Sequence, residues 1–358
     1  MRTGLRLALF ACASIVSLAV AGTAMAAFTP RLTVNQATTG PPATSNTLIK
    51  IAIPKDDAAT LKTTIYAPLG YTSTLNQPAG TQVGTVKATA QAKAISPDAI
   101  LPLEGVIKTD NPANYTAIPA SVACAGAAPH TAVFLLVLTA AGQTLTVPAY
   151  VDTITAGPEA AFASAKITIC LPSPDIPVAS GGATFGAKVL EANLFLTNVF
   201  TAPTAAGKYV WSAVFTPYNV GAGTPNPAGT VESRAIVILP TQITISAKVK
   251  NKKKHQISVT GAVTENLVGI SGQAIVLVVG KKPDGKGSPF TSKSGAGGTF
   301  GGLLTLKKGT YYLTVGVIVA DRDATSTECA GPSKAPAGCV SATVAGFTTI
   351  SRTIKIKV

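Results

Sequence analysis

Apolar and polar residues alternate with a period of two through most of the last third of the chain. Ile243, Ile245, Ala247 and Val249 interleave with Thr244, Ser246, Lys248 and Lys250. Successive side chains of a strand point to opposite faces, so this pattern predicts a half-buried β-strand. After a polar turn at residues 251–254, Ile257, Val259, Gly261 and Val263 interleave with Gln256, Ser258, Thr260 and Ala262 as a return strand. The unbroken apolar run Ala274 to Val279 predicts a central strand, and Pro283-Asp284-Gly285 a turn, since proline presets φ and glycine accepts positive φ. Further strands are predicted at 290–294, 299–306 and 311–319, and over 349–358, where Ile354, Ile356 and Val358 alternate with Lys355 and Lys357. About seven short strands separated by turns predict a β-sandwich over 241–358.

Upstream the same punctuation continues less regularly. Strands are predicted at 48–53 and 63–66 in a first segment, 27–97. A second segment, 98–240, has a hairpin of 132–139 with 143–151 and strands near 166–171, 190–200, 209–215 and 233–239. The pattern leaves open whether 27–240 is one domain or two. Trp211, the single tryptophan, is expected in a core, and Leu239-Pro240-Thr241 at the hinge into the last module. Short helical turns are expected at 56–62 and 159–165. The fold class is therefore all-β, with two or three tandem sandwich domains.

The last third resembles the bacterial immunoglobulin-like and carboxypeptidase-regulatory-like modules of secreted proteins. The resemblance is carried by Ser258-Val259-Thr260-Gly261, the run from Ser271 to Leu277, Gly298-Thr299-Phe300 and Gly309-Thr310-Tyr311-Tyr312. It implies an immunoglobulin-like sandwich, and a spacer, stalk or adhesive role, without choosing among these. A slighter similarity, in the Lys55-Asp56-Asp57 turn that follows an early strand, is to an exported copper-binding domain. That family holds copper through a histidine at the mature N-terminus. No histidine stands near Ala27-Phe28, so no metal is carried over.

Arg2 and Arg6, an apolar stretch from Leu5 to Val20, and Ala24-Met25-Ala26 compose a secretory signal peptide over 1–26, cut before Ala27. No second apolar segment of spanning length follows, so the mature chain is expected to be secreted or held at the cell surface without a transmembrane segment. Cys124, Cys170, Cys329 and Cys339 then remain. An even number in an exported chain predicts disulfides. Of three possible pairings, Cys124 with Cys170 and Cys329 with Cys339 keeps each bridge inside one predicted module.

Charge is distributed unevenly. Residues 27–240 hold 11 basic and 10 acidic residues, whereas 241–358 hold 16 and 5. Lys248, Lys250, Lys252, Lys253 and Lys254 gather at the first hairpin, and Lys355 and Lys357 lie on the last strand. First and last strands run side by side in many such sandwiches, so these lysines are expected on one face. That face suits an anionic cell-wall polymer or an acidic glycan; ordinary edge-strand lysines that discourage aggregation are the alternative. Nucleic acid is not expected, since few aromatics interleave with the lysines.

Catalysis finds little support. His130 and His255 are the only histidines, both expected at the surface, and carboxylates pair only as Asp56-Asp57 and Asp321/Asp323. The latter, with Thr325 and Glu328, lacks the central glycine and distal glutamate of an EF-hand calcium loop. The sequence thus predicts a non-enzymatic structural or binding protein without cofactor or metal. A polyanion- or carbohydrate-binding module is the first alternative, and a hydrolase with its site in 98–240 the second.

Overall fold

The computed structural model describes residues 28–37, 46–92, 99–140, 142–183 and 186–358; the expected signal peptide lies outside them. The protein is all-β. The strands upstream of Pro240 are β1 (Arg31–Ala37), β2 (Asn46–Ala52), β3 (Thr60–Pro68), β4 (Thr72–Ser73), β5 (Gln82–Gln91), β6 (Ile100–Asp110), β7 (Ala132–Ala140), β8 (Gln143–Thr153), β9 (Ala163–Cys170), β10 (Lys188–Leu196), β11 (Phe200–Thr201), β12 (Gly207–Pro217) and β13 (Val231–Leu239). Downstream lie β14 (Thr241–Asn251), β15 (Gln256–Glu265), β16 (Val268–Gly269), β17 (Ala274–Gly280), β18 (Ser288–Lys293), β19 (Thr299–Thr305), β20 (Thr310–Val319), β21 (Arg322–Asp323), β22 (Cys339–Val344), β23 (Phe347–Ile350) and β24 (Ile354–Lys357). The helices are short: α1 (Pro119–Ala125) and α2 (Ser326–Cys329). No helix among the described residues is long and apolar enough to cross a membrane.

Eleven of the upstream strands join one large sheet in the order β1-β2-β10-β5-β6-β7-β8-β9-β3-β12-β13, and β4 pairs separately with β11. The 97/98 point falls between β5 and β6, which are hydrogen-bonded neighbours. Inward-facing residues from along the whole sheet, among them Leu32, Ile65, Phe134, Ile167 and Trp211, fill a single core. Trp211 is fully buried, with Tyr71 and Phe200 edge-on to it at 5.1 and 5.2 Å. The expected helical turn at 56–62 does not form: from Thr60 the chain is already β3, which lies between β9 and β12. Conversely α1 forms where the sequence pattern predicts no helix, and Cys124–Cys170 ties it to β9.

The downstream strands build a sandwich around a second core that includes Ile257, Ile275, Leu313 and Val315. One sheet places β14 and β19 on either side of β15; the other runs β18-β17-β20, with β23 and β24 successively lining β20. Gly261 has a packing reason to be glycine, since a Cβ there would sit 2.2 Å from both the Phe300 ring and the Thr244 carbonyl.

Between β20 and β23 the chain leaves the sandwich. Residues 320–346 carry β21, α2 and β22, the last bonded in parallel to β13. The large sheet thereby reaches thirteen strands, two of them supplied by the downstream module. The second disulfide, Cys329–Cys339, closes this insertion. β1, the opposite end of the sheet, meets β13 and β22 across a seam bridged by hydroxyls. Ser233 Oγ accepts from Leu32 N–H at 2.8 Å, Thr343 Oγ1 donates to the Leu32 carbonyl at 2.7 Å, and Ser341 Oγ donates to the Pro30 carbonyl at 2.9 Å. Side chains thus satisfy edge groups that a strand would otherwise leave open to pairing.

Candidate functional site

Three regions gather polar chemistry. The first is where the insertion covers β13. Glu232, whose side chain is fully buried, accepts from Lys334 N–H at 2.7 Å, Ser333 Oγ at 3.0 Å and Arg234 Nε at 2.9 Å. Burial alone would raise the Glu232 pKa. The Lys334 amide and the Arg234 guanidinium outweigh it and hold the carboxyl below its ordinary range. Arg234 donates onward to the carbonyls of Cys329 and Pro332. Lys334 Nζ lies 2.5 Å from Ser212 Oγ and 3.7 Å from the centre of the Phe162 ring, and burial lowers its pKa despite Glu232. A serine hydroxyl against a lysine amine of lowered pKa is a pairing that can activate a nucleophile. Here Ser212 is 1% exposed and lies beneath the insertion, so a substrate has no approach to it. The cluster fastens the insertion.

The second region corrects the sequence reading of His130, which is buried rather than at the surface. α1 folds over β8, making a small separate core of Cys124, Val133 and Tyr150. His130 Nδ1 lies 3.1 Å from both oxygens of Asp152, and its ring is 4.8 Å from that of Tyr150. Tyr150 OH donates to Ser121 Oγ at 2.7 Å. A histidine held by a carboxylate in this way has the composition of two members of a hydrolytic triad. A triad also needs a nucleophile within hydrogen-bond reach of the base. Among the described residues no hydroxyl bonds to His130, and that of Ser121 is engaged by Tyr150.

Three of the four acids in these pairs, Asp57, Asp321 and Asp323, are committed to structure. Asp57 caps the Thr29 backbone N–H. Asp321 binds Lys50 Nζ, Asn35 Nδ2 and Gly346 N–H, which together hold its carboxyl below the usual range against the upward push of burial. Asp323 pairs with Arg31 at 2.6 Å, and Glu328 closes a capping box on Thr325. Among the described residues no three or more histidine, cysteine or carboxylate side chains converge as metal ligands.

The third region is the end of the sandwich remote from the large sheet. β14 runs outward from Pro240, so the 251–255 turn lies at the far end. Leu306 N–H donates to the His255 carbonyl at 3.0 Å, placing the β19–β20 turn, with Lys307 and Lys308, beside it. Gly280 pairs with Tyr312, and Lys281 Nζ lies 3.5 Å over the Tyr311 ring. The β17–β18 turn, with Lys281, Lys282 and Lys286, therefore occupies the same end. Thr310 pairs with Lys357, so β24 finishes there as well.

Twelve lysines thus stand at or near one pole: 248, 250, 252, 253, 254, 281, 282, 286, 307, 308, 355 and 357. All are exposed, and none forms an ion pair among the described residues. Asp284 is the single carboxylate side chain among these turns and strand ends; the other acids of the module, Glu265, Asp321, Asp323 and Glu328, lie toward the large sheet. His255 sits in the first turn at φ 49°, with Nδ1 buried and unpartnered.

The seven lysines named from sequence do not stand on one flat face. Lys248 and Lys250 project from the outside of β14, opposite the inward Ile243 and Ile245. Lys355 and Lys357 project from the outside of the other sheet, where Lys355 Nζ reaches the Tyr312 ring at 5.9 Å. The turn lysines join them around the pole. Sequence reasoning missed Lys281, Lys282, Lys286, Lys307 and Lys308. The available signal was that each group occupies a turn an even number of strand reversals from the 251–254 turn.

No family model matches the chain, and no curated protein does. Among solved structures, the chain is similar to the crystal structure of a tetra-tandem repeat in the extending region of a large adhesion protein. The identity is 11%, over 90% of this chain and 74% of that one, with a TM-score of 0.21. A likeness so slight supports no inference about this chain.

Proposed function

We propose that the protein is an exported, non-enzymatic binding component of the cell surface, which presents the lysine-rich end of its C-terminal sandwich to anionic ligands. One observation carries the reading: exposed, unpaired lysines fill the turns at the end of the sandwich facing away from the large sheet, whereas its acids lie almost wholly on the near side. A field of one sign attracts ligands of the other. Two disulfides favour an oxidising compartment outside the cytoplasm. The alternation of the sandwich strands, with β14, β15 and β19 facing β18, β17, β20 and β23/β24, agrees with the immunoglobulin-like resemblance. The test is a panel of immobilised acidic, neutral and basic polysaccharides presented to the full-length protein. Retention by the acidic members is expected; retention by neutral ones alone, or by none, refutes the reading.

A second reading, a hydrolase in 98–240, is favoured by the His130–Asp152 pair. Turnover of an ester, peptide or glycan that His130→Ala abolishes, in a variant that stays folded, would establish it.

A further inference from the structure

We infer that the basic pole is a wrapping site for a linear, flexible polymer with an anionic group on every repeat, rather than a docking face for a flat anionic surface. This rests on the anionic-ligand reading above and names the class of ligand. Lys248 precedes Asn251, the end of β14, by three residues, and Lys355 lies three residues before Val358. At about 3.3 Å per residue both stand roughly 10 Å back from the tip, on the outsides of two different sheets. A plane resting on the turns would meet them only across about one Debye length at 0.1 M salt. A flexible chain can follow the lysines from the outside of β14, through the turns, to the outside of β24. With paired sheets about 10 Å apart, that path is on the order of 30 Å.

The chemistry points the same way. All twelve basic residues at the pole are lysines, with no arginine among them. Lysine offers a compact charge without the planar fork that grips one carboxylate or phosphate in two-point fashion, so the pole responds to charge density along a chain more than to one group's shape. Asp284 accepts from the Lys286 backbone N–H at 3.1 Å. Tyr311 is buried beneath Lys281, so it offers no open platform on which bases would stack.

The test uses the full-length protein with long-chain inorganic polyphosphate, poly-glutamate, tripolyphosphate and phosphatidylglycerol vesicles, each titrated at several salt concentrations. A long polymer should bind at least about tenfold more tightly than tripolyphosphate. Preference for polyphosphate over poly-glutamate would assign phosphate as the charged group, and the reverse carboxylate; either supports the inference. At roughly 0.7 in the log–log salt slope per neutralised charge, Lys252→Gln/Lys253→Gln/Lys254→Gln should lower the slope by about two, and Lys281→Gln/Lys282→Gln/Lys307→Gln/Lys308→Gln by about three. Binding without length dependence, binding to vesicles alone, or an unchanged slope in the second variant overturns the wrapping site while leaving the anionic-ligand reading in place. Failure of every anionic probe overturns both.

Discussion

Lysines buried in the large sheet or beneath the insertion and lysines at the far pole do opposite work. Lys334 is held between Glu232, Ser212 and the Phe162 ring, and Lys188, 4% exposed, donates to the carbonyls of Lys55 and Asp57. Each satisfies buried acceptors, and removal would leave them unpaired, which carries a large penalty. The pole lysines reach into solvent without ion pairs, where single charges contribute little to stability. One residue type thus satisfies buried acceptors in one setting and supplies a field at the pole in the other, and burial separates the two roles.

The contrast can be broken most forcefully at Glu232. Glu232→Ala strands Arg234 and Lys334 under the insertion and should destabilise the protein by about 3–5 kcal/mol in urea unfolding. A change below about 1 kcal/mol would mean that the junction is not the fixed end. Removing the disulfides should follow, with loss of Cys124–Cys170, which spans 46 residues, costing about 4 kcal/mol, and loss of Cys329–Cys339, which spans 10, about 3 kcal/mol on the loop-entropy estimate. Acid acts on the paired carboxylates and spares the pole lysines. Glu232 and Asp321 have folded pKa values below their unfolded ones, so their contribution is complete above the unfolded carboxylate range and fades as pH falls through the folded values. The unfolding free energy should therefore drop below about pH 4, and less steeply in Glu232→Gln. The smallest effect belongs to the pole: Lys252→Gln/Lys253→Gln/Lys254→Gln should change stability by no more than about 0.5 kcal/mol per substitution while weakening polyanion binding.

Much of the fold is legible because strand alternation is a local signal. The 243–249 and 257–263 strands, the 132–151 hairpin and the burial of Trp211 all follow from side-chain period and turn chemistry. What stays hidden depends on partners distant in sequence. Cys329 and Cys339 read as one bridge inside the last module, yet β22, which begins at Cys339, pairs with a strand about a hundred residues earlier. His130 reads as a surface residue because nothing near it in sequence announces that Tyr150 and Asp152 of β8, about twenty residues later, will pack against it. The pole is half legible: the 248–254 lysines are contiguous, whereas the 281–286 and 307–308 groups join them only once three turns converge.

The excursion from Val319 to Phe347 also imposes a birth order. β23 and β24 complete the sandwich, but they emerge only after the chain has gone out to add β22 beside β13 and come back. The sandwich therefore cannot seal ahead of its neighbour without leaving that excursion unhoused. Distant pairings of this kind form slowly, because the loop must close before any contact compensates for its entropy. A chain made from its N-terminus meets the two tasks in the workable sequence: the receiving sheet first, the lysine-tipped sandwich last.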